Sequence, residues 1–459
     1  MSTFFVLFLF LLPFLPALNV GQGFDLASSR VIILCFSGIW AIWSLVRGRL
    51  KVPFDLISAG VVVFLVWIVF SFLWTPATEY TFRKILVFYS IFPLYFVSYG
   101  LFREYGEKLV KRAAKAIGFS TFGVCVLALV QFLAQFIAGK EAVMNFYAER
   151  LAGFLWGNST ARAVADNPSW LFDASGVDIL RAFAVFPDPH MLSYFLALGV
   201  PVLAALGFME IKSRGRIGFW GLFYWLAAGL GLAVEGLTFS RGGYAGFLLA
   251  LGTVLALVLW KKIKAASRID FKKGVIGLVF FAAVAGGLFL SENPLKNRVI
   301  SMFDVTEGSN QGRLEIWGKA WELFRESPVI GVGLGAYAYV VDPSAGYREP
   351  IYAHNLYLEF LAEIGILGLV FWVLMLLAAA GRLVRLFLEH SRLGEPVKDE
   401  EQKKALYLAL IAYLAWFSGH SFFEMPVYSS VVLPYFTVVL AVGSWLGRRD
   451  GEIKRKPGA

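Results

Sequence analysis

Long apolar stretches recur along the whole of this 459-residue chain and constrain its fold more than any other feature. A helix needs roughly 20 mainly apolar residues to cross a bilayer, and helices satisfy their own backbone hydrogen bonds in lipid. The chain is therefore predicted to be an all-α polytopic membrane protein. About twelve spans are expected, near residues 3–20, 30–46, 56–74, 85–101, 113–138, 190–210, 217–239, 243–260, 274–291, 356–381, 405–424 and 427–446.

The amino-acid composition agrees with this class. Hydrophobic residues make up 58% of the chain and charged residues 16%, whereas soluble domains carry about 25% charged residues. Soluble globular proteins and disordered proteins are therefore excluded. Both cysteines, Cys35 and Cys125, lie within apolar stretches, which argues against a disulfide framework and against a cysteine-based metal site.

The distribution of Lys and Arg orients the predicted spans. If the N-terminus is cytoplasmic, the inner segments contain 28 of the 42 Lys and Arg residues and the outer segments contain 14. Because cytoplasmic loops carry an excess of basic residues, we expect both termini in the cytoplasm. The formal charge of +10 then reflects topology, and no nucleic-acid partner is expected.

Two outer segments are long enough to carry function. The predicted organisation is nine spans in residues 1–291 with an outer loop at about 139–189, a larger outer loop over 292–355, spans ten to twelve in 356–446, and a cytoplasmic tail over 447–459. Residues 313–326 have the period of an amphipathic helix, with Leu314, Trp317, Trp321 and Phe324 on its apolar stripe. This helix either lies on the membrane surface as a scaffold or forms a lid over an outer cavity.

The first candidate for function is Arg241, which sits between two apolar spans with almost no loop to lift it into water. Charge at membrane depth is costly and often marks function. Its planar guanidinium suits phosphate oxygens, and Gly242 and Gly243 allow close backbone approach to an anion. The alternative is a structural arginine that reaches the membrane surface or pairs with Glu235.

His354 is the second candidate, because it opens the tenth predicted span at the outer surface. A neutral imidazole can take a proton from an attacking hydroxyl. Glu359 and Glu363 lie four residues apart on one face of the same predicted helix, and a carboxylate there is a candidate to orient the imidazole or to raise its basicity. The alternative is a histidine that merely caps the helix.

The remaining histidines and glycines carry less information. His190 and His420 have no established role, and no ligand spacing supports a metal site, so none is expected. The glycine-rich segment 331–335 is preceded by no strand and lacks the following Lys-Ser/Thr of a phosphate loop. It is therefore predicted to be a flexible connection after the amphipathic helix.

Taken in order along the chain, these elements resemble the O-antigen ligase and polymerase superfamily. The resemblance rests on Ser240-Arg241-Gly242, on Gly312-Arg313-Leu314-Glu315-Ile316-Trp317, on Pro328 followed by Gly331-Val332-Gly333, and on His354-Asn355 with Glu359 and Glu363 before Gly365. The segment Arg181 to Pro187 is similar to a further element of the family, although Pro187-Asp188-Pro189-His190 stands where the family usually has Asn-Pro-Asn.

The resemblance implies a transferase of the bacterial inner membrane that acts at the periplasmic face. Its donor would be a glycan linked to undecaprenyl diphosphate, and its acceptor a hydroxyl of a glycolipid (lipid A-core) or of a glycan, with no metal or other cofactor. By position, the base would be His354 and the diphosphate ligands Arg241, Arg313 and Arg181. Ser240, Asn355, Glu359 and Glu363 would have supporting roles.

Three other functions remain open at this point. A polymerase that extends the lipid-linked glycan uses the same donor, and a protein O-oligosaccharyltransferase uses the same chemistry. A polysaccharide or lipid transporter would instead place ionisable residues near the middle of the membrane, in broken helices of two matching halves. The ionisable residues of this chain cluster at the outer ends of the predicted spans, which favours chemistry at the surface.

Overall fold

The structure is a computed structural model that describes residues 1–21, 24–158, 161, 168–173, 176–264, 294–300, 308–344, 351–389 and 397–454. Two short antiparallel strand pairs accompany the helices, β1 (Ala17–Gly21) with β2 (Phe24–Ala27) and β3 (Leu171–Asp173) with β4 (Asp178–Leu180). The described helices are α1 (Ser2–Leu11), α2 (Ser28–Val46), α3 (Leu56–Phe70), α4 (Thr78–Ile91), α5 (Pro93–Ala138), α6 (Lys140–Phe146), α7 (Ala152–Trp156), α8 (Pro189–Arg214), α9 (Phe219–Leu237), α10 (Arg241–Lys264), α11 (Pro294–Ile300), α12 (Gly308–Glu326), α13 (Ala336–Val341), α14 (Leu356–Leu388), α15 (Val397–His420) and α16 (Val432–Lys454).

The lengths and composition of these helices agree with a multi-pass membrane protein. Within the described residues, seven helical segments are long and apolar enough to cross a bilayer, namely Ser28–Val46, Leu56–Leu73, Thr78–Ala138, Pro189–Arg214, Phe219–Leu237, Arg241–Ile263 and Leu356–Leu388. Two shorter apolar helices cover Ser2–Phe14 and Val432–Gly447. The predicted ninth span, 274–291, lies outside the described residues, and the total of twelve stays a prediction.

The predicted loop between spans 85–101 and 113–138 is helical in the structure. Helix α5 runs through it, and only Gly106, with φ of 63°, leaves the helical conformation. A straight helix of this length would measure about 70 Å, more than twice the roughly 30 Å thickness of the hydrocarbon core. The bend at Gly106 therefore separates the two predicted spans in place of a loop. Glycine suits this position because it adopts positive φ without a steric penalty.

Helix α8 lies at the centre of the bundle. It packs against α5, α9, α10 and α15, and 83% of its apolar window is buried, compared with 22% for the window Arg241–Ile263. Because close-packed interiors hold their elements rigidly, packing restrains the first turn of α8 at one end of the bundle.

Helix α12 covers this end of α14. It begins five residues before the predicted amphipathic segment, and its Trp317 Nε1 donates to the carbonyl of Ala353 at 2.9 Å. Its buried face differs from the predicted stripe, since Ala320 and Leu323 are buried whereas Trp321 is half-exposed. The small side chain of Ala320 allows α12 to approach α14 closely, a requirement that apolar periodicity alone does not reveal.

The glycine-rich segment 331–335 is closely packed, which corrects the prediction of a flexible connection. Helix α14 is broken at Gly365, where φ is 67°. There the amide of Ile366 donates to Pro328 (2.9 Å), and the amide of Gly333 donates to the carbonyl of Glu363 (2.7 Å). Gly331 is needed because an added Cβ would lie 2.4 Å from the backbone carbonyl of Glu363. The segment is therefore packed directly against the break in α14.

We expect Gly365→Ala to destabilise the protein. A Cβ at position 365 would lie 2.2 Å from the Val329 carbonyl oxygen, and alanine is strained at positive φ, so the loss should be at least about 1–3 kcal/mol. Gly381→Ala is the matched control, because it lies in the same helix and its added Cβ meets no atom within 4 Å. Thermal unfolding in detergent checks both variants; equal midpoints would contradict the account of the break.

Candidate functional site

Arg241 is positioned by a sharp turn between α9 and α10. Phe239 adopts the left-handed conformation, with φ of 48°, and thereby ends α9. Ser240 then caps α10, since its Oγ accepts a hydrogen bond from the Gly243 amide at 3.1 Å. Arg241 is consequently the first residue of α10, and its place at the helix N-terminus is fixed by the cap.

The guanidinium of Arg241 is buried, and its Nη1 donates to Asn310 Oδ1 at 2.8 Å. Asn310 lies in the first turn of α12, and Arg313 follows three residues later, so both side chains lie on neighbouring positions of one helix face. The positive charge of Arg313 lowers the pKa values of Arg181, His354 and Glu424. The structure therefore brings Arg313 into the neighbourhood of Arg241.

Arg181 lies behind the same turn. Its Nε donates to the carbonyl of Thr238 and its Nη1 to the carbonyl of Ser169, both at 2.7 Å. Within the described part of the chain, the buried Nη2 has no hydrogen-bond partner. Burial, followed by the charge of Arg298, lowers the pKa of Arg181 to about 9. Arg181 thus holds the turn before Arg241 and keeps one donor group unused.

His354 pairs with a carboxylate from another part of the chain. Its Nδ1 lies 2.9 Å from Glu424 Oε1 and 3.2 Å from Oε2. The side chain of His354 is 41% exposed, whereas that of Glu424 is 11% exposed. Asn355 then caps α14, because its Oδ1 accepts hydrogen bonds from the amides of Tyr357 and Leu358. With Nδ1 occupied, Nε2 is the ring nitrogen left to take a proton.

Neither Glu359 nor Glu363 is hydrogen-bonded to the imidazole of His354 in this structure. Glu359 Oε2 accepts from the Ala353 amide at 2.8 Å, and Glu363 Oε1 accepts from the Tyr337 amide at 3.3 Å. The hydrogen-bonding carboxylate is Glu424, because His354 has φ of 47° and its imidazole pairs across to the segment after α15. The two glutamates accept from backbone amides instead, Glu359 from that of Ala353 beside His354 and Glu363 from that of Tyr337 in α13.

The pair is electrostatically coupled. The negative charge of Glu424 raises the pKa of His354 against the opposing effect of burial. Burial would raise the pKa of Glu424, but the charge and hydrogen bond of His354 outweigh it and hold the pKa of that carboxyl below its usual range. Glu424 therefore stays ionised and makes the imidazole of His354 a stronger base.

His190 and His420 are buried beneath the turn that carries Arg241. Ser240 Oγ lies 2.9 Å from His190 Nδ1 and 3.3 Å from His420 Nε2. His190 Nε2 in turn lies 4.0 Å from Glu424 Oε2. These contacts join the turn of Arg241 to the pair of His354 and Glu424. No group of three or more His, Cys, Asp or Glu side chains among the described residues forms a metal-binding arrangement, and metal independence stays a prediction.

Three helix N-termini lie around this cluster. Helix α8 starts after Asp188, α10 after Ser240 and α14 after Asn355, and each of these side chains accepts a hydrogen bond from an amide of the first turn. Helix N-termini carry partial positive charge and commonly bind phosphate groups. Together with the buried guanidinium of Arg241, they make this end of the bundle suited to an anion.

Comparison with known proteins agrees with the sequence motifs. Residues 222–373, which include Arg241, Arg313 and His354, match the family described as O-antigen ligase. The match covers about a third of the chain. The chain is also 27% identical over 207 residues to "Exopolysaccharide production protein ExoQ" of Rhizobium meliloti (strain 1021). That alignment covers 39% of this chain and 47% of the relative, so the chain spans about half the length of the curated relative it matches.

The matched region, residues 222–373, leaves out part of the site that the structure assembles. Glu424 lies beyond the family match, and Asp188, Arg181 and His190 lie before it. Glu424 follows His420 at the end of an apolar stretch. Ionisable residues at such positions often mark function, and this feature of the sequence could have identified Glu424. Its pairing with His354, seventy residues away, is a property of the fold alone.

We expect Glu424→Gln to lower the pKa of His354, because the substitution removes the negative charge that raises it. A histidine reacts with diethyl pyrocarbonate only when its imidazole is neutral. The pH midpoint of His354 modification, measured by mass spectrometry, should therefore fall by roughly one unit. Glu315→Gln, at a carboxylate with a 72% exposed side chain, should leave the midpoint unchanged. An identical midpoint in Glu424→Gln and the wild type would show that the pair is not coupled.

Proposed function

We propose that the protein is a glycosyltransferase of the O-antigen ligase type. It moves a glycan from undecaprenyl diphosphate to an acceptor hydroxyl at the periplasmic face of the bacterial inner membrane, with both of its termini in the cytoplasm. The observation that carries the proposal is the His354–Glu424 pair, which lies beside three helix N-termini and the buried Arg241. A base and an anion site are the two components that this reaction requires.

The anion site serves the leaving group. Lipid diphosphate departs with a growing negative charge, and fixed cations stabilise that charge best in a site from which water is excluded. Arg241 and Arg313 would bind the diphosphate oxygens, with the unused Nη2 of Arg181 and the helix N-termini supplying further donors. Departure then needs no separate general acid.

The base serves the acceptor. In the proposed step the acceptor oxygen forms a bond to C1 of the donor sugar while the bond from C1 to the diphosphate oxygen breaks. The bonding electrons leave with the lipid diphosphate, and the acceptor proton passes to Nε2 of His354. The sugar passes through an oxocarbenium-like state. Glu424 stabilises the imidazolium that forms, because its carboxylate pairs with Nδ1.

A glycan acceptor is a second candidate, which would make the protein a polymerase. The relative from Rhizobium meliloti is described as an exopolysaccharide production protein, and this description favours extension of a glycan over transfer to lipid A-core. The glycans of a strain that lacks the protein separate the two functions. Single repeat units on the lipid carrier indicate a polymerase, whereas accumulated polymer on the carrier indicates a ligase.

We expect His354→Ala to abolish transfer while it preserves binding of the donor lipid. Loss of a general base should slow the reaction by roughly 10²–10⁴-fold. Binding of the donor lipid should persist, because the anion site does not involve this side chain. The measurements are transfer by purified protein in lipid vesicles and equilibrium binding of undecaprenyl diphosphate. Wild-type transfer by His354→Ala would refute the role of the imidazole.

We expect the complementary result for Arg241→Lys. A lysine keeps the positive charge but replaces the planar fork of donors with a point charge, and loss of one charge-assisted hydrogen bond costs about 1.5–3 kcal/mol. Binding of undecaprenyl diphosphate should therefore weaken by roughly 10- to 100-fold. Arg83→Lys, at an arginine that pairs with Glu79 and is 38% exposed, controls for the exchange and should bind as the wild type does.

A further inference from the structure

Lys84 is a buried lysine that the proposed transfer does not use. It lies in α4 with 8% of its surface exposed, and its Nζ donates to the hydroxyl of Tyr352 at 3.2 Å. The same ammonium lies 3.1 Å from the ring centroid of Tyr428 and 4.5 Å from that of Tyr352. Two aromatic faces therefore hold the cation.

Two buried carboxylates accompany this ammonium. Glu359 and Glu363, both 1% exposed, lie one turn apart in α14, and the charges of both act on Lys84. A buried charge without a partner is strongly destabilising, so the lysine and the glutamates depend on one another. Glu363 also accepts a hydrogen bond from the Tyr428 hydroxyl at 3.5 Å.

The cluster is attached to both segments that carry the His354–Glu424 pair. Tyr352, which accepts from Lys84, lies two residues before His354, and the amide of Ala353 donates to Glu359 Oε2 at 2.8 Å. Tyr428 lies four residues after Glu424. One buried cation thus links the turn that presents the imidazole to the segment that presents its carboxylate.

His354 needs such support because of its backbone conformation. Its φ of 47° lies in the left-handed region, which costs a residue with a side chain of order 1–3 kcal/mol and persists only where the surrounding structure enforces it. The contacts on the preceding two residues, through Tyr352 and Ala353, supply that enforcement.

We propose that Lys84, together with Glu359 and Glu363, is a positioning residue that holds His354 and Glu424 in contact. The inference rests on the proposed function only in taking this pair as the catalytic base. Lys84 itself contacts no reacting atom; it acts through the two segments that it joins.

The direction in which the pKa of His354 changes distinguishes a positioning role of Lys84 from a direct effect of its charge. The charges that act most strongly on His354 are those of Glu424, Arg313 and Asp188, and the groups that face Lys84 are Glu359, Glu363 and the rings of Tyr352 and Tyr428. Loss of a positive charge would by itself raise the pKa of a neighbouring histidine. A looser contact with Glu424 lowers it instead, so the two effects have opposite directions.

The experiment measures the pH midpoint of His354 modification by diethyl pyrocarbonate in Lys84→Met. The proposal expects the midpoint to fall by roughly one unit, as the carboxylate separates from the imidazole. Arg83→Met is the matched control, since the neighbouring Arg83 lies on the same helix and pairs with Glu79 at the surface; its midpoint should equal that of the wild type. This readout needs no donor or acceptor, so it is independent of whether the proposed transfer occurs.

Milder variants keep the test decisive if Lys84→Met fails to fold, as judged by thermal unfolding. Tyr352→Phe removes the hydroxyl that accepts from Lys84, and Tyr428→Phe removes the hydroxyl that donates to Glu363, while both keep the aromatic faces. Each should lower the His354 midpoint by a smaller amount in the same direction. A folded Lys84→Met with an unchanged or raised midpoint, or two phenylalanine variants that both match the wild type, would overturn the proposal.

Discussion

The hydrogen bond between His354 and Glu424 is the interaction on which the proposed site depends. It joins the N-terminus of α14 to the segment that follows α15, and it keeps a buried carboxylate ionised by pairing it with an imidazole. A carboxylate with little exposure is stable only with such a partner. The cost of burying Glu424 is thus offset by the same contact that makes His354 a stronger base.

The proposed anion site depends on the placement of helix ends. Three helices begin around one cluster of polar side chains, and each is capped by a side chain that fixes its first turn. The central burial of α8 keeps one of these ends rigid. Donors that are already oriented need little rearrangement when charge develops on a leaving group, which is why preorganised sites stabilise such charge effectively.

Much of this arrangement could be predicted from the sequence, for identifiable reasons. Apolar stretches of sufficient length predict helices directly, and Arg241 and His354 are identifiable because ionisable residues at the ends of such stretches are rare and costly. The partners of those residues could not be predicted in the same way. The pairing of His354 with Glu424, the contact of Lys84 with Tyr352 and the packing of segment 331–335 on Gly365 all join positions far apart in the chain. Such contacts depend on tertiary packing, which periodicity does not encode.

The central claim is that one end of this bundle binds a lipid diphosphate beside a paired imidazole. An experimentally determined structure of the protein with undecaprenyl diphosphate tests it most directly. The account predicts that the diphosphate oxygens lie within hydrogen-bonding distance of Arg241 and Arg313, close to the first turns of α8 and α10, with His354 facing the oxygen that bears the glycan. A diphosphate bound elsewhere, with neither arginine in contact, would contradict it.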